Sequence, residues 1–529
     1  MIDLLQLCTR LSEVCGGDHL KAVRPSEQEI TVYLLPDVLP HAVQTLRDEY
    51  SAVFVDLFGL DRHPTEDIYQ LHLLFAIDRE RTWMHLVSDL DGQSPAFPSL
   101  VAQLPATGWY EREIWEDLGI QPQGHPLLRP LRLPPDWPET VHPQRNDFSW
   151  EQPVVGVEPR YFELAPAPAG IVDYPLGPVR SGVVESGHYM LRTAGEELVD
   201  MHLQLFYKHR GVEKRAEGLS LAVLPLVAER ISGTSAFAQS LALCQALESA
   251  SETSVSPRAR YLRSILAELE RLYNHIGYQA DLCQATGLVV AQAQFDIWKE
   301  RLLRLNACIS GHRYLFGMNV PGGLSRDLTG RAQDAISELL SALRGEMETL
   351  ERLLLASPSH LDRLEATGIL TPADALAYCA VGPTGRASGI DRDLRRDHPY
   401  AAYEDVTFDV PLQHDGDAMA RARIRLEETK QSLHLIGQLL DRLPGGAIRV
   451  VVEQLPAGST ALGWAESARG ECVHWLQVGE NGLLRRYRVR TASFANWQVF
   501  SLAIPGHNIL TDFPVIEQSF GLSFAGADC

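Results

Sequence analysis

The chain has 529 residues, 45% of them hydrophobic and 22% charged, which is enough for two or more domains with substantial cores. Its 47 basic and 68 acidic residues give a formal net charge of -21. Such a charge repels phosphate backbones and anionic lipid headgroups, so nucleic acid is not an expected partner.

Membrane insertion and secretion are not expected from the sequence either. A spanning helix needs about 20 uninterrupted apolar residues, whereas the stretch LSLAVLPLVA, from Leu219, is shorter and contains a proline. The N-terminus carries Asp3 and Glu13 in place of a basic run, which is atypical of a secretory signal. We therefore expect a cytoplasmic protein without a membrane span of its own.

Residues 1–150 are predicted to form an α/β domain. Strand-like runs such as ITVYLLP and DIYQLHLLFAI alternate there with short helical segments. The domain ends with WYEREIWEDLGIQPQGHPLLRPLRLPPDWP, an acidic amphipathic helix followed by a segment whose prolines exclude helix. That proline-rich segment is either a linker or an arm packed over a neighbouring domain or subunit.

Residues 151–170 include the stretch APAPAG and are predicted to be a linker. Residues 171–529 are predicted to form a mainly helical domain. The second domain begins with a predicted hairpin made of HYMLRT and LVDMHLQLF. Amphipathic spacing then predicts four long helices, in RARYLRSILAELERLYNHIGYQADLC, FDIWKERLLRLNACI, ISELLSALRGEMETLERLLL and ARIRLEETKQSLHLIGQLLDRL. With the strand-like RRYRVR near the end, these elements predict an α+β fold with a helical bundle core.

The turn RISGTS, residues 230–235, leads into an Ala-rich helical segment. Taken alone, the turn predicts a helix N-cap, in which Ser232, Thr234 or Ser235 accepts a hydrogen bond from an exposed backbone N–H. The eight cysteines suggest no other site, because no two of them stand at the C-x-x-C spacing usual for zinc and iron–sulfur ligands.

Longer segments resemble one superfamily, in order along the chain. WYEREIWEDLGIQPQGHPLLRPLRLPPDWP looks like the signature of the small peripheral-arm core subunit of respiratory complex I. Its large partner, which is related to the large subunits of nickel–iron hydrogenases, is resembled by YPLGPVRSG, FYKHRGVEK, RARYLRSILAELERLYNH, VPGGLSRDL and RASGIDRDLRRDHPYAAYEDV. A chain that carries both sets is similar to the fused large subunits of formate hydrogenlyase and hydrogenase-4.

The hydrogenase resemblance implies where a nickel–iron centre would lie. The hydrogenase motifs Arg-x-Cys-Gly-x-Cys and Cys-x-x-Cys fall here on Ser232 and Ser235 and on Ser523 and Gly526, and the histidine after the first pair is replaced by Gln239. Serine hydroxyls stay protonated near neutral pH and do not bridge two metals as thiolates do. We therefore expect no metal and no cofactor bound by this chain itself.

The complex I resemblance implies a quinone-type acceptor cavity in the same place. The histidine of its Gly-Pro-x-His turn becomes Arg180, and its tyrosine position falls on Gly233. Arg180 can donate a hydrogen bond to a carbonyl but cannot deliver a proton as histidine does. The predicted acceptor cavity comprises Arg180, Ser232, Gly233, Ser235, Gln239 and Ser523.

Two further segments lie beside this cavity by resemblance. HRGVEK places His209, Arg210 and Glu213 near the iron–sulfur cluster of a small partner subunit; the alternatives are a packing histidine and an Arg210–Glu213 ion pair at a helix start. The second segment is a run of alternating charge. Its composition predicts a solvated loop, whereas the resemblance implies a loop at an interface or at the cavity. The residues of that run are Arg386, Asp391, Asp393, Arg395, Arg396 and Asp397.

Two functions follow from these resemblances. The first is a redox subunit of a complex-I-like, hydrogenase-4-like oxidoreductase, which takes electrons from the partner's iron–sulfur cluster to quinone or another acceptor. Proton-pump-like membrane subunits would hold this chain at the inner face of the cell membrane. The second is a non-catalytic scaffold in the same kind of complex, and an active hydrogenase ranks below both because the thiolates are missing.

Overall fold

The computed structural model describes residues 4–15, 21–160, 164–180, 185–452 and 455–529. The chain divides into two compact units. The first unit consists of Met1–Pro166 with the short segments Leu205–His209 and Ala377–Cys379, and the second contains the remainder. In the described residues, no helix is both long enough and apolar enough to cross a bilayer.

The first unit is built on a five-stranded sheet in the order β1-β2-β5-β4-β3, in which β2 and β5 are parallel and the other neighbours antiparallel. The predicted strands ITVYLLP and DIYQLHLLFAI correspond to β2 and β4, so the α/β prediction is confirmed. The strands are β1 Lys21–Ser26, β2 Glu29–Tyr33, β3 Val53–Asp61, β4 Ile68–Ile77, β5 Thr82–Asp91, β6 Ala96–Pro98 and β7 Gln121–Gln123; the helices are α1 Leu4–Cys15, α2 Leu39–Tyr50 and α3 Gly108–Leu118.

The proline-rich segment after α3 packs against that helix, within its own unit. The carboxylate of Glu116 accepts hydrogen bonds from the backbone N–H groups of Leu131 (2.7 Å) and Arg132 (3.0 Å). Arg132 in turn forms a buried ion pair with Glu113 (2.7 Å). The acidic residues of α3 therefore anchor the segment, because buried carboxylates require such donors.

The second unit begins with a three-stranded sheet in the order β10-β9-β8, and β9 and β10 form the predicted hairpin. A second antiparallel sheet, β13-β14-β15, ends with the strand predicted from RRYRVR. Gly463 in β13 permits close approach to the helix Ala236–Ala250, because a Cβ there would overlap the carbonyl oxygen of Ala242. The strands are β8 Val172–Leu176, β9 His188–Ala194, β10 Glu197–Gln204, β11 Asn319–Val320, β12 Gly323–Leu324, β13 Thr460–Ser467, β14 Gly470–Val478 and β15 Leu484–Arg490.

The four predicted long helices are confirmed as α7, α8, α9 and α14, whose packing forms the centre of the second unit. The central helix is α7, whose apolar face is at most 1% exposed at Leu262, Ile265, Leu266, Leu269, Leu272 and Ile276. The helices are α4 Val212–Ala216, α5 Leu224–Ala228, α6 Ala236–Ala250, α7 Pro257–Thr286, α8 Val289–Ser310, α9 Gly330–Leu355, α10 Pro358–Leu364, α11 Pro372–Ala377, α12 Gly382–Ala387, α13 Leu394–Asp397, α14 Ala418–Asp441, α15 Ala492–Phe500, α16 Phe513–Phe520 and α17 Phe524–Asp528.

Candidate functional site

The turn RISGTS and the C-terminal segment SFGLSFAGADC meet in the second unit, although almost 300 residues separate them in sequence. The hydroxyl oxygens of Ser232 and Ser523 lie 3.3 Å apart. A Cβ added at Gly526 would lie 3.3 Å from the Ser523 side chain and 3.6 Å from Ser232 Cβ. Three of the four positions that match hydrogenase ligands therefore surround one point, and Ser235 is joined to it through its backbone N–H, which donates to the Ser232 carbonyl (3.0 Å).

Arg210 ties these two segments together. Its guanidinium donates to the carbonyl oxygens of Arg230 (2.7 Å) and Ile231 (2.8 Å) at the turn, and to Ala525 (3.0 Å) in the C-terminal segment. The predicted alternative, an ion pair with Glu213, is wrong. Glu213 faces β15 instead, where its carboxylate accepts from the backbone N–H of Val489 (2.9 Å). Arg210 therefore acts here through several N–H donors.

The predicted serine cap of α6 is also wrong. The side chains of Ser232 and Ser235 accept no hydrogen bond from the first turn of the helix. A carboxylate from α7 fills that role, because Glu270 accepts from the backbone N–H groups of Phe237 (2.7 Å) and Ala238 (3.0 Å). Burial raises the pKa of Glu270 to about 7, against the lowering effect of these two hydrogen bonds. The turn hydroxyls are therefore free for other contacts.

An open cleft of about 170 Å³ lies beside the turn, and it is mostly polar. Arg469, in the turn between β13 and β14, reaches into it and donates to the hydroxyl of Thr234 (2.9 Å), the hydroxyl of Ser235 (3.4 Å) and the amide oxygen of Asn274 (3.3 Å). Its charged neighbours in the cleft wall are Lys299, Arg425 and Asp281, and the wall also includes Tyr273, His275, Tyr278, Tyr314 and Gly521. Cations outnumber anions there, so the cleft favours a ligand with acceptor oxygens or negative charge.

Arg469 and the polar face of α7 were not predicted from the sequence. The stretch RLYNH belongs to a motif of the resemblance and to a predicted amphipathic helix, but no site residue was predicted in it. The apolar spacing of that helix is correct. The available signal was the set of polar residues, Asn274, His275 and Asp281, close to the apolar stripe. These residues line the cleft.

None of the six predicted cavity residues is among those that line this cleft, and two of them make their contacts elsewhere in the second unit. Arg180 forms a paired hydrogen bond with the carboxylate of Glu517 (2.9 and 2.6 Å), which also accepts from the hydroxyl of Tyr189 (2.7 Å). Gln239 is buried, and its side-chain oxygen lies 2.6 Å from His474 Nε2 in β14. Neither is among the residues that line the cleft, so their place in an acceptor site stays a prediction.

The charged run is not the solvated loop that its composition predicts. Arg386, Asp393 and Arg395 are at most 1% exposed. Arg386 donates to the carboxylates of Glu428 (2.6 Å) in α14 and Glu466 (3.1 Å) in β13. Buried guanidinium groups need such partners, because an unpaired charge in the interior is very unfavourable.

Arg395 completes this buried network. It donates to Asp393 (2.7 Å) and to Glu268 (3.1 Å) in α7. Although burial raises it, the pKa of Asp393 is held at about 2 by Arg395 and Arg386. The run reaches the surface at Asp391 (57% of the side chain exposed) and at Arg396 (38% exposed), which pair with each other, and Arg396 also pairs with Asp397. An interface role stays a prediction, and it suits these exposed residues better than the buried ones.

His188, His209 and the last cysteine give no further site. His188 begins β9, where burial lowers the pKa of its imidazole. His209 belongs to the first unit, where its backbone N–H donates to the carbonyl of Phe206 (3.1 Å). Cys529 is buried, and its sulfur lies 3.7 Å from the carbonyl oxygen of Gly526.

The residues at the convergence point do not fit a nickel–iron centre. Nickel and iron in such centres need soft, ionised sulfur ligands. Here Ser232 and Ser523 offer neutral hydroxyls that contact each other, and Gly526 offers no side chain. In the described residues, no cluster of three or more His, Cys, Asp or Glu side chains has the geometry of a metal site either.

The fold and this arrangement define a class of protein, the fused peripheral-arm subunits of complex-I-type enzymes. Residues 32–154 match the family described as respiratory-chain NADH dehydrogenase, 30 Kd subunit. Residues 290–461 match the respiratory-chain NADH dehydrogenase, 49 Kd subunit. The two matches fall in the N-terminal and C-terminal parts of the chain, as the resemblances predict.

Relatives that span the whole chain identify the family. The chain is 32% identical to formate hydrogenlyase subunit 5 of Escherichia coli K12, over 98% of this chain and 92% of that protein. It is 31% identical to hydrogenase-4 component G of the same organism, over 97% of this chain and 90% of that protein. The C/D subunit of NADH-quinone oxidoreductase from Gluconacetobacter diazotrophicus is 26% identical, over 98% and 95%. The chain belongs to this family of fused complex-I-type subunits.

A solved structure shares the fold. A chain of the membrane-bound sulfane sulfur reductase, an archaeal respiratory membrane complex, aligns with a TM-score of 0.65 and 24% identity, over 69% of this chain and 100% of that one. At this identity the likeness concerns the fold alone.

Proposed function

We propose that this chain is the electron-accepting subunit of a membrane-associated, complex-I-like oxidoreductase of the hydrogenase-4 type. It takes electrons from an iron–sulfur cluster in a small partner subunit and passes them to quinone or another acceptor. The observation that carries the proposal is the polar cleft beside the two serine segments, where Arg469 contacts the turn. Family membership over the full length supports the same class of function.

The proposed surroundings follow from the relatives. Formate hydrogenlyase subunit 5 and the C/D subunit of NADH-quinone oxidoreductase are by name parts of larger enzymes. We therefore propose that ion-translocating membrane subunits hold this chain at the inner, cytoplasmic face of the membrane. The exposed ion pairs of Arg396 with Asp391 and Asp397 are available for contact with a partner.

Arg469→Gln tests the redox role. The substitution keeps a polar side chain but removes the positive charge from the cleft, so transfer from the reduced cluster to a soluble quinone analogue should fall at least about 10-fold. The matched control is Arg258→Gln, at the start of α7, where the arginine pairs with Asp327 (2.8 Å) and does not line the cleft. Absorbance or EPR of the cluster in the purified complex follows its reoxidation. Equal rates in both variants would contradict the proposal.

A scaffold without catalysis is the second candidate function. It is favoured by Arg180 and Gln239, which are both engaged in contacts within the second unit. A scaffold should tolerate Arg469→Gln and Arg180→Gln wherever the complex still assembles. Selective loss of electron transfer from an intact complex would count against it.

Nickel is expected to be absent from the purified complex, because the hydroxyls of Ser232, Ser235 and Ser523 cannot replace thiolates. Elemental analysis by mass spectrometry should find iron from partner clusters and nickel well below one atom per complex. The positive control is a variant with Ser232→Cys, Ser235→Cys, Ser523→Cys and Gly526→Cys, which should bind a soft divalent metal such as zinc. One nickel per unaltered complex would refute the expectation.

A further inference from the structure

Among the titratable groups in the cleft wall, which also include Asp281 and Lys299, one is an imidazole. His275 of α7 lines the cleft, and its Nε2 lies 2.7 Å from the carboxylate of Glu428 in α14. In the part of the chain that the structure describes, the other ring nitrogen, Nδ1, makes no hydrogen bond. Nδ1 is therefore the polar atom of the ring that is available to a ligand in the cleft.

Glu428 is held in the ionised form that orients the imidazole of His275. Burial opposes its ionisation, but Arg386 and His275 keep the pKa of Glu428 well below its ordinary range. Arg386 lies 2.6 Å from one carboxylate oxygen, and Arg271 lies 3.5 Å from the oxygen that faces His275. An ionised carboxylate only accepts hydrogen bonds, so Nε2 carries the hydrogen and Nδ1 carries the lone pair in the neutral ring.

We propose that His275, oriented by Glu428, is the proton-exchanging residue for the acceptor reduced in the cleft. This inference rests on the proposed function. Each electron from the partner's iron–sulfur cluster leaves negative charge on an oxygen of a carbonyl-type acceptor. His275, charged with a proton from solvent through the open cleft, transfers it from Nδ1: the N–H bond breaks, an O–H bond forms, and the imidazole returns to neutral.

The charges around His275 favour this cycle. Burial, together with Arg271 and Arg425, lowers the pKa of the imidazole to about 4 in spite of Glu428, so the resting ring is neutral. Arg469, Lys299 and Asp281 are the other charged groups in the cleft wall. New negative charge on the acceptor would offset the surrounding guanidinium groups and stabilise imidazolium, so protonation is coupled to electron arrival.

His474 provides a matched control. It is also buried and hydrogen-bonded, but both of its ring nitrogens have partners, Tyr487 at Nδ1 (2.6 Å) and Gln239 at Nε2 (2.6 Å). It does not line the cleft. Nitrogen-15 NMR of the imidazole rings should show a lone-pair nitrogen without a hydrogen bond in His275 and hydrogen bonds at both nitrogens of His474. A hydrogen-bonded Nδ1 in His275 would overturn the inference.

The activity test uses the assembled complex with a soluble quinone analogue. His275→Gln should slow reduction of the analogue about 100-fold or more and should abolish both its pH dependence and its solvent deuterium isotope effect. His474→Gln should keep both. If His275→Gln fails to assemble, the pH dependence and the solvent isotope effect of the unaltered complex replace it, and the absence of both would contradict the inference.

The outcomes separate the two proposals. An unaltered complex that transfers no electrons to the analogue contradicts the proposed function, and the inference falls with it. An active unaltered complex in which His275→Gln keeps the rate and the isotope effect contradicts the inference alone.

Discussion

Arg386→Ala is expected to lower the free energy of unfolding of the second unit by about 3–5 kcal/mol. The side chain is fully buried and donates to Glu428 (2.6 Å), Glu466 (3.1 Å) and the carbonyl of Arg392 (2.8 Å). Its removal leaves two carboxylates in the interior without their main counter-charge. Truncation of one partner destabilises the fold by more than the intact ion pair stabilises it, because the remaining buried charge has neither water nor a partner.

The matched control lies ten residues further along the same charged run. Arg396→Ala removes an arginine that is also ion-paired, with Asp391 (2.7 Å), but whose side chain is 38% exposed. Exposed pairs contribute about 0–1 kcal/mol, so this variant should be nearly as stable as the unaltered chain. Urea unfolding, with hydrogen exchange of α7 and α14 as the report on the second unit, measures both. Similar small losses would show that the interior network does not carry the stability assigned to it.

These two arginines show what local sequence can and cannot predict. Apolar spacing predicted α7 correctly, because its buried residues follow the period of the helix itself. The burial of Arg386 depends on Glu428 and Glu466, which lie 42 and 80 residues further along the chain. A short segment of alternating charge has the same local sequence whether its side chains contact water or pair with carboxylates far along the chain. The solvated-loop prediction failed for that reason.

The turn RISGTS gives the same lesson for the site. A serine before a helix is the usual N-cap, but Glu270, 33 residues from Phe237, takes that position. The sequence could not show this, since the contact is made by the neighbouring helix α7. The family resemblance located the site residues more accurately than the local pattern did. It matched Ser232, Ser523 and Gly526 to one ligand set, and the structure brings these residues together. Arg469 was missed because no quoted motif contained it.

The second large effect concerns acid stability and involves His474, the partner of Gln239. Burial lowers the pKa of His474 from 6.5 to about 3 in the folded chain. As the pH falls below 6.5, the unfolded chain takes up this proton and the folded chain does not, so stability is fully present above pH 6.5 and is lost on acidification. At pH 5 the loss is about 2 kcal/mol, at about 1.4 kcal/mol per pH unit.

His474→Gln should therefore behave differently at two pH values. At pH 7.5 the variant should be less stable by about 1–2 kcal/mol, because the contacts with Tyr487 and Gln239 are weakened. At pH 5 the gap should shrink by about 2 kcal/mol, since only the unaltered chain must keep a neutral histidine buried. His434→Gln, on the exposed face of α14, is the matched control and should leave the pH difference unchanged. Denaturant titrations at both pH values measure the free energy of unfolding of each variant. An identical change in that free energy with pH in His474→Gln and in the unaltered chain would contradict the prediction.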